Sequence, residues 1–387
     1  MTSSTTTGRQ DSINGKPMDN GFKILFIVRA SLYTVRGGDT TQVLKTAEAL
    51  VKLSVTVNIK LCNEKNIDYC RYNLIHFFNI RHPADMMYHI KKSCLPYVIS
   101  PIYVDYTKPA KRPIQGFSDR ILNLFSADTQ EYIKTVSKCF LQNEKIISPG
   151  YFWKGHRQSV KWILNNVATL LPNSANEYKR LLASYHVQSN YTLVPNAADP
   201  YLFNYTEDDI RMKDNKMVLC VARIELIKNQ LNLVKALCNS PFQVYLIGNP
   251  APNHLAYYNE CKKNSTANIH FIKEMKQEEL VLMYKKAKVH ILPSWFETTG
   301  LASLEALYCA CNIVVTPNGD TREYFDPNHC FYCEPDSTAS IRKAVEQAAV
   351  AEINTTYIDW VAGKYNWQRT AEITLNAYQQ VILNTKQ

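Results

Sequence analysis

Residues 289–316, VHILPSWFETTGLASLEALYCACNIVVT, constrain the chain more than any other stretch. Val289, His290, Ile291 and Leu292 have the apolarity and length of a buried strand, and Pro293-Ser294 breaks the run. A loop over 295–300 feeds a helix beginning at Leu301 and Ala302 and expected to end near Ala310-Cys311. Ile313, Val314 and Val315 then form a second strand. Strand, helix and strand in this order make a βαβ unit whose loop lies at the carboxyl end of a strand, where open α/β sheets bind ligands. Two carboxylates, Glu297 in the loop and Glu305 in the helix, frame it with seven residues between them. Glu305 sits among Ala302, Leu304, Ala306 and Leu307, in a helix too apolar for a surface. A carboxylate there is costly unless something pairs with it.

The same alternation runs through the rest of the chain. Lys23 to Val28 reads as a buried parallel strand, followed by a loop with Gly37, Gly38 and Asp39 and a helix from about Thr40. Glycines ahead of a helix let a phosphate or sugar approach the backbone and the positive end of the helix. Further strands are legible at 55–59, 74–78, 97–100 and 169–171, with a helix restarting near Asn176. His76, near the end of one strand, reads as a satisfied structural residue. In the second half, Met217 to Ala222 form a strand with Arg223 at its carboxyl end and Lys228 five residues on, where Asn229 and Gln230 open a helix. Two cations flanking one strand-to-helix turn suit a ligand on which negative charge develops. Strands at 243–247 and 269–272 follow, the first ending on Gly248. Helices over 278–287, 339–349 and 366–383 complete the pattern.

The Glu-x7-Glu spacing, with Pro293-Ser294 before it and Gly300-Leu301 inside it, resembles the signature of family 4 retaining glycosyltransferases of the GT-B fold. Arg223 with Lys228, Pro172-Asn173-Ser174 and Val194-Pro195-Asn196-Ala197-Ala198-Asp199 resemble further segments of that family, with Ala222 and Ala197 in place of the usual glycines. The resemblance implies an α/β, GT-B architecture: two doubly wound Rossmann-like domains facing a cleft, with a C-terminal helix crossing back to the first. Its boundaries here would be a disordered tail over 1–21, an acceptor domain over 22–196, a nucleotide-sugar domain over 197–360 and the returning helix over 361–387. Glu305 would accept hydrogen bonds from ribose hydroxyls, Glu297 would hold the transferred sugar, and Arg223 and Lys228 would stabilise the departing diphosphate. The amides of Thr299, Gly300 and Leu301, with Gly248, Gly37 and Gly38, would meet the donor. Asp39, Ser100 and Tyr103 fall on the acceptor side. Two departures stand out there: Gln42 occupies a place where the family often has histidine, and Ser100-Pro101-Ile102-Tyr103 lacks the histidine usual after that strand.

Length and composition fit this reading. At 387 residues and 46% hydrophobic, the chain suits two globular domains. No apolar run of about eighteen residues predicts a membrane span, and the first twenty residues are too polar for a signal peptide. The eleven cysteines form no regular framework, and Cys220, Cys309 and Cys311 lie in apolar runs, which points to a reducing cytoplasm. The net charge of +10 admits nucleic acid, anionic lipid or acidic substrates, and nucleic acid has nothing else in its favour. Lys91, Lys92, Lys108, Lys111, Arg112 and Arg120, with Tyr97, Tyr103 and Tyr106, form a basic and aromatic segment suited to an anionic membrane or a lipid-linked acceptor. Lys154, His156, Arg157 and Lys161 would extend it. No cofactor or metal is called for: the nucleotide-diphosphate sugar is the donor substrate, and neither an Asp-x-Asp nor a His/Cys cluster stands at a strand end. Two alternatives are an inactive GT-B scaffold that binds a partner, favoured by the missing histidine, and a sugar-nucleotide 2-epimerase on the same fold, disfavoured by the Glu spacing.

Overall fold

The computed structural model describes residues 21–35, 37–104 and 149–385. The N-terminal tail and the basic-segment residues Tyr106, Lys108, Lys111, Arg112 and Arg120 lie outside the described residues. Two parallel sheets organise the rest. The first is built from β1 (Lys23–Val28), β2 (Thr56–Leu61), β3 (Leu74–Phe78), β4 (Tyr97–Ser100) and β5 (Thr169–Leu170), in the order β2-β1-β3-β4-β5. The second holds β6 (Asp214–Val221), β7 (Gln243–Ile247), β8 (Ile269–Ile272), β9 (Ala287–Leu292), β10 (Asn312–Val315) and β11 (Phe331–Tyr332), in the order β11-β10-β9-β6-β7-β8.

Helices cover both faces of each sheet, which is why the strands read as continuous apolar runs instead of alternating ones. Every residue of β1 after Lys23 is buried, as is all of β3, whereas the edge strand β2 is half-exposed. Each sheet therefore carries two cores, one per face. Cys220, Cys309 and Cys311 are small buried core residues as expected.

Six helices position the site: α1 (Gly38–Lys52), α2 (Ala175–Tyr185), α3 (Gln230–Leu237), α4 (Leu301–Tyr308), α5 (Thr321–Tyr324) and α6 (Trp367–Thr385). α4 stops two residues short of the expected Ala310. Ala310 turns left-handed (φ 60°) and the Cys311 amide reaches back to Ala306 O at 3.0 Å, because the chain must reverse within three residues to enter β10. The chain crosses between the sheets after Val194, and Ala198 N bonds Tyr365 O at 3.2 Å where the returning segment passes it. α6 then lays Trp367, Leu375, Tyr378 and Ile382 into the core that α1, β1 and β3 share, so the last helix belongs physically to the first sheet. Among the described residues no helix is long and apolar enough to cross a membrane.

Candidate active site

In the second sheet the strand order reverses between β6 and β9, the place where open α/β sheets bind ligands. Arg223 and Lys228 leave β6, and Ser294 and Glu297 leave β9. The two loops meet there: Lys228 Nζ donates to Glu297 Oε2 at 2.7 Å, and Ser294 Oγ donates to the same oxygen at 3.0 Å. Burial works against the Lys228 ammonium, but the charge and hydrogen bond of Glu297, helped by Glu225, hold its pKa above the ordinary lysine value. Lys228 is thus a permanent cation at neutral pH. Arg223 is more exposed and lies 3.3 Å from Glu225. Asn229 locks the Lys228 loop in place: left-handed itself (φ 59°), it donates through Nδ2 to Pro293 O at 2.9 Å and to Pro335 O at 2.7 Å.

Glu297 is held by its backbone as well. Its amide donates to Asn318 O at 3.0 Å and its carbonyl accepts from Asp320 N at 2.9 Å, straddling Gly319. Gly319 has φ +110°, and a Cβ there would stand 2.0 Å from Glu297 O, so only glycine fits. Gly248 is required for a similar reason, since a Cβ would meet Ala222 O at 2.2 Å where β6 and β7 end side by side.

Gly300 (φ 73°) opens α4. The first amides bonded within the helix are Ser303 and Leu304, both to Gly300 O, so those of Thr299, Gly300 and Leu301 have no partner in it. Thr299 Oγ1 and Ser303 Oγ are buried and meet no partner of hydrogen-bonding geometry. A helix start with spare donors is an anion site by construction. Glu305 lies one turn on. It is half-buried and forms no ion pair among the described residues, contrary to the partner its apolar setting called for. Burial pushes its pKa up to about 8, eased by the Tyr284 hydroxyl beside it. A carboxylate without an ion pair keeps the capacity to accept hydrogen bonds from hydroxyl donors. The glycine loop of the first domain arrives at the same place: a Cβ on Gly38 would touch Leu301 Cδ1 at 3.6 Å. Gly37 is extended (φ −162°), a conformation open to any residue.

The acceptor-side residues are tied into the framework. Asp39 accepts from Arg29 Nε at 2.6 Å and from Thr40 N at 2.9 Å, bracing the loop before α1. Gln42 is buried and joins Asn173 (2.9 Å) and Asn196 (3.4 Å), knitting α1 to the crossover. Ser100 Oγ bonds His76 Nε2 at 2.9 Å, and His76 Nδ1 bonds the Tyr378 hydroxyl at 2.6 Å. Burial lowers the His76 pKa to about 3, so it is a neutral structural histidine, as expected. Two tyrosines of the basic segment are corrected: Tyr97 and Tyr103 are buried, Tyr97 donating to Ile163 O at 2.7 Å, because both fill the core beneath β4. His156 is likewise buried, against the Tyr151 hydroxyl, while Lys154 is exposed.

Sequence reasoning missed the contacts between domains. Arg180 on α2 forms a two-pronged pair with Asp320, Glu323 accepts from the amides of Ala175 and Asn176 at 2.8 Å each, and the Tyr324 hydroxyl donates to Asn173 O at 2.7 Å. Beside these contacts Ser174 caps α2, its Oγ accepting from the Glu177 amide at 2.9 Å.

The family model for glycosyl transferases group 1 matches residues 206–355, the span that holds Arg223, Lys228, Glu297 and Glu305. The second domain belongs to the group 1 glycosyltransferases. Solved structures extend the likeness to the whole fold. A sucrose-phosphate synthase from Thermosynechococcus elongatus superposes with a TM-score of 0.72 at 15% identity, over 94% of this chain and 100% of its own. HepE of Anabaena, solved in complex with UDP-glucose, gives 0.64 at 14%, over 94% and 99%. The lipopolysaccharide outer core galactosyltransferase WaaB, in its apo form, gives 0.60 at 12%, over 93% and 99%. These likenesses show the GT-B fold. No curated protein matches the chain significantly.

Proposed function

We propose that the glycosyltransferase retains anomeric configuration and moves a sugar from a nucleoside-diphosphate sugar to a glycan or lipid-linked acceptor, in polysaccharide or lipopolysaccharide synthesis. The observation that carries this reading is the Lys228–Glu297 pair at 2.7 Å, at the strand reversal and beside the start of α4. It sets a fixed cation next to a carboxylate that can hold sugar hydroxyls. When the bond from the anomeric carbon to the phosphate oxygen breaks, charge builds on the departing diphosphate. Preorganised cations and amides aimed at such charge are worth several kcal/mol, about 100-fold or more in rate for a single donor. Lys228, Arg223 and the amides of Thr299, Gly300 and Leu301 supply them. Glu305 accepts from the ribose hydroxyls, which resolves its lack of an ionic partner. A nucleotide donor is supported by HepE, which binds UDP-glucose on the same fold.

In this reading the acceptor hydroxyl attacks from the face the phosphate leaves. Its oxygen bonds the anomeric carbon as the carbon–phosphate oxygen bond breaks, and its proton passes to the departing phosphate oxygen. No protein nucleophile is used. The role of neutralising charge is assigned to Arg223 and Lys228, and none to a metal ion. The exposed Trp153 and Lys154, with Lys91 and Lys92, suit a peripheral contact with an anionic membrane on its cytoplasmic face.

The test is turnover of UDP, GDP, ADP and dTDP sugars, with the anomeric configuration of the product read by NMR. Lys228→Ala is expected to lower turnover by about 100-fold or more, with the change in melting temperature recorded alongside. Near-normal turnover in that variant removes Lys228 from the site, and an inverted product refutes retention.

A further inference from the structure

We infer that Arg180, on the first domain, is a positioning residue for Glu297 on the second; this rests on Glu297 being part of the transfer site. Two routes lead from one to the other. Arg180 grips both oxygens of Asp320, Nη2 to Oδ2 at 2.7 Å, and the Asp320 amide in turn holds Glu297 O at 2.9 Å. On the other side, the guanidinium lies 5.0 Å from the centre of the Phe296 ring, the residue that precedes Glu297. The segments on both sides of Glu297 thus rest on one side chain of the opposite domain. Asp320 is almost completely buried (2% exposed), so this is no surface ion pair of negligible effect.

The helix that carries Arg180 also carries the acceptor-side loop. Three residues earlier on α2, Glu177 accepts from Tyr103 N and Asn173 N, both at 2.6 Å, and Arg180 Nη2 reaches Tyr103 O at 3.4 Å. Glu323 caps the start of the same helix from the second domain. α2 is therefore a strut with the loop 101–104 on one side and the loops around Glu297 on the other. Arg180 sets the Glu297 carboxylate in register with the acceptor side only when the two domains are seated together. The planar fork is what this requires: a lysine keeps the charge but cannot hold both Asp320 oxygens and lie against Phe296 at once.

Two variants separate positioning from mere stability. Arg180→Lys keeps the charge and loses the fork, and the double variant Arg180→Gln/Asp320→Asn leaves no lone buried charge behind. Amide hydrogen exchange is read for segments 295–300 and 318–321, with β6 and β9 as internal references. In both variants exchange is expected to rise about tenfold or more in those two segments alone. Where a nucleotide sugar is turned over, kcat is expected to fall about tenfold or more, while the Kd of the matching nucleoside diphosphate stays within about twofold. Unchanged exchange in the two segments, or a rise spread evenly over β6 and β9, overturns the inference. Should the wild type bind no diphosphate, the donor reading fails, and the exchange result still decides the role of Arg180.

Discussion

Glu305 is the residue whose surroundings least explain it without a ligand. Its folded pKa of about 8 stands above the 4.5 of an ordinary glutamate, so the folded protein holds the extra proton between those values. This group therefore takes stability away as pH rises through that window. Ribose hydroxyls favour the carboxylate, so nucleoside diphosphate binding is expected to expel a proton. Affinity should rise from about pH 6.5 to about pH 8.5, and Glu305→Gln should flatten that slope. Calorimetry in two buffers of different ionisation enthalpy counts the protons; proton uptake, or an unchanged slope in Glu305→Gln, contradicts the assignment. The spacing of Glu297, Glu305, Arg223 and Lys228 was legible in the chain because Arg223, Lys228 and Glu297 follow strand ends and Glu305 interrupts an apolar helix. What each side chain touches was not. The lack of an ion pair at Glu305 among the described residues and the absorption of Asp39 by Arg29 depend on side chains that the local pattern does not specify.

Among the elements, the loop after β10 matters more than its four-residue helix suggests. Gly319 lets Glu297 pair with Asn318 and Asp320 on both sides, and a methyl group there would overlap Glu297 O. Gly319→Ala is expected to cost about 1–3 kcal/mol of stability through the forced backbone shift. Its turnover should fall further than that loss explains, because a misplacement near 1 Å at the reacting centre costs about 100-fold. Denaturant unfolding and steady-state rates on the same preparation check both halves, and a variant with full activity would show that the Glu297 backbone need not be fixed. Strands and helices of this loop's βαβ unit were readable from apolar runs and breakers. The docking of α5 on α2 was not, since Arg180 and Asp320 lie 140 residues apart and neither carries a local signal for the other.

At the scale of the molecule, α6 makes the first core depend on the last residues of the chain. Tyr378 is fully buried among residues of α1, β1 and β3 and donates or accepts at His76 Nδ1, which burial keeps neutral. Tyr378→Phe removes only the hydroxyl and strands a buried ring nitrogen, and is expected to cost about 1–3 kcal/mol. An unchanged unfolding midpoint would show that this bond adds nothing. Hydropathy alone indicated a terminal helix, and the likeness to GT-B enzymes indicated its destination; the His76 contact, 302 residues away, was beyond either. Lys228, Glu297 and the start of α4 stand at the strand reversal of the second sheet, with Glu305 one turn along α4. That this site binds a nucleoside diphosphate is tested most directly by melting temperatures of wild type and Glu305→Ala with UDP, GDP, ADP, dTDP and CMP. One diphosphate at about 100 times its Kd should stabilise the wild type by about 2.7 kcal/mol, a shift of several degrees, and leave Glu305→Ala unmoved. If no nucleotide shifts the wild type, or one shifts both proteins equally, the donor site is not where these residues place it.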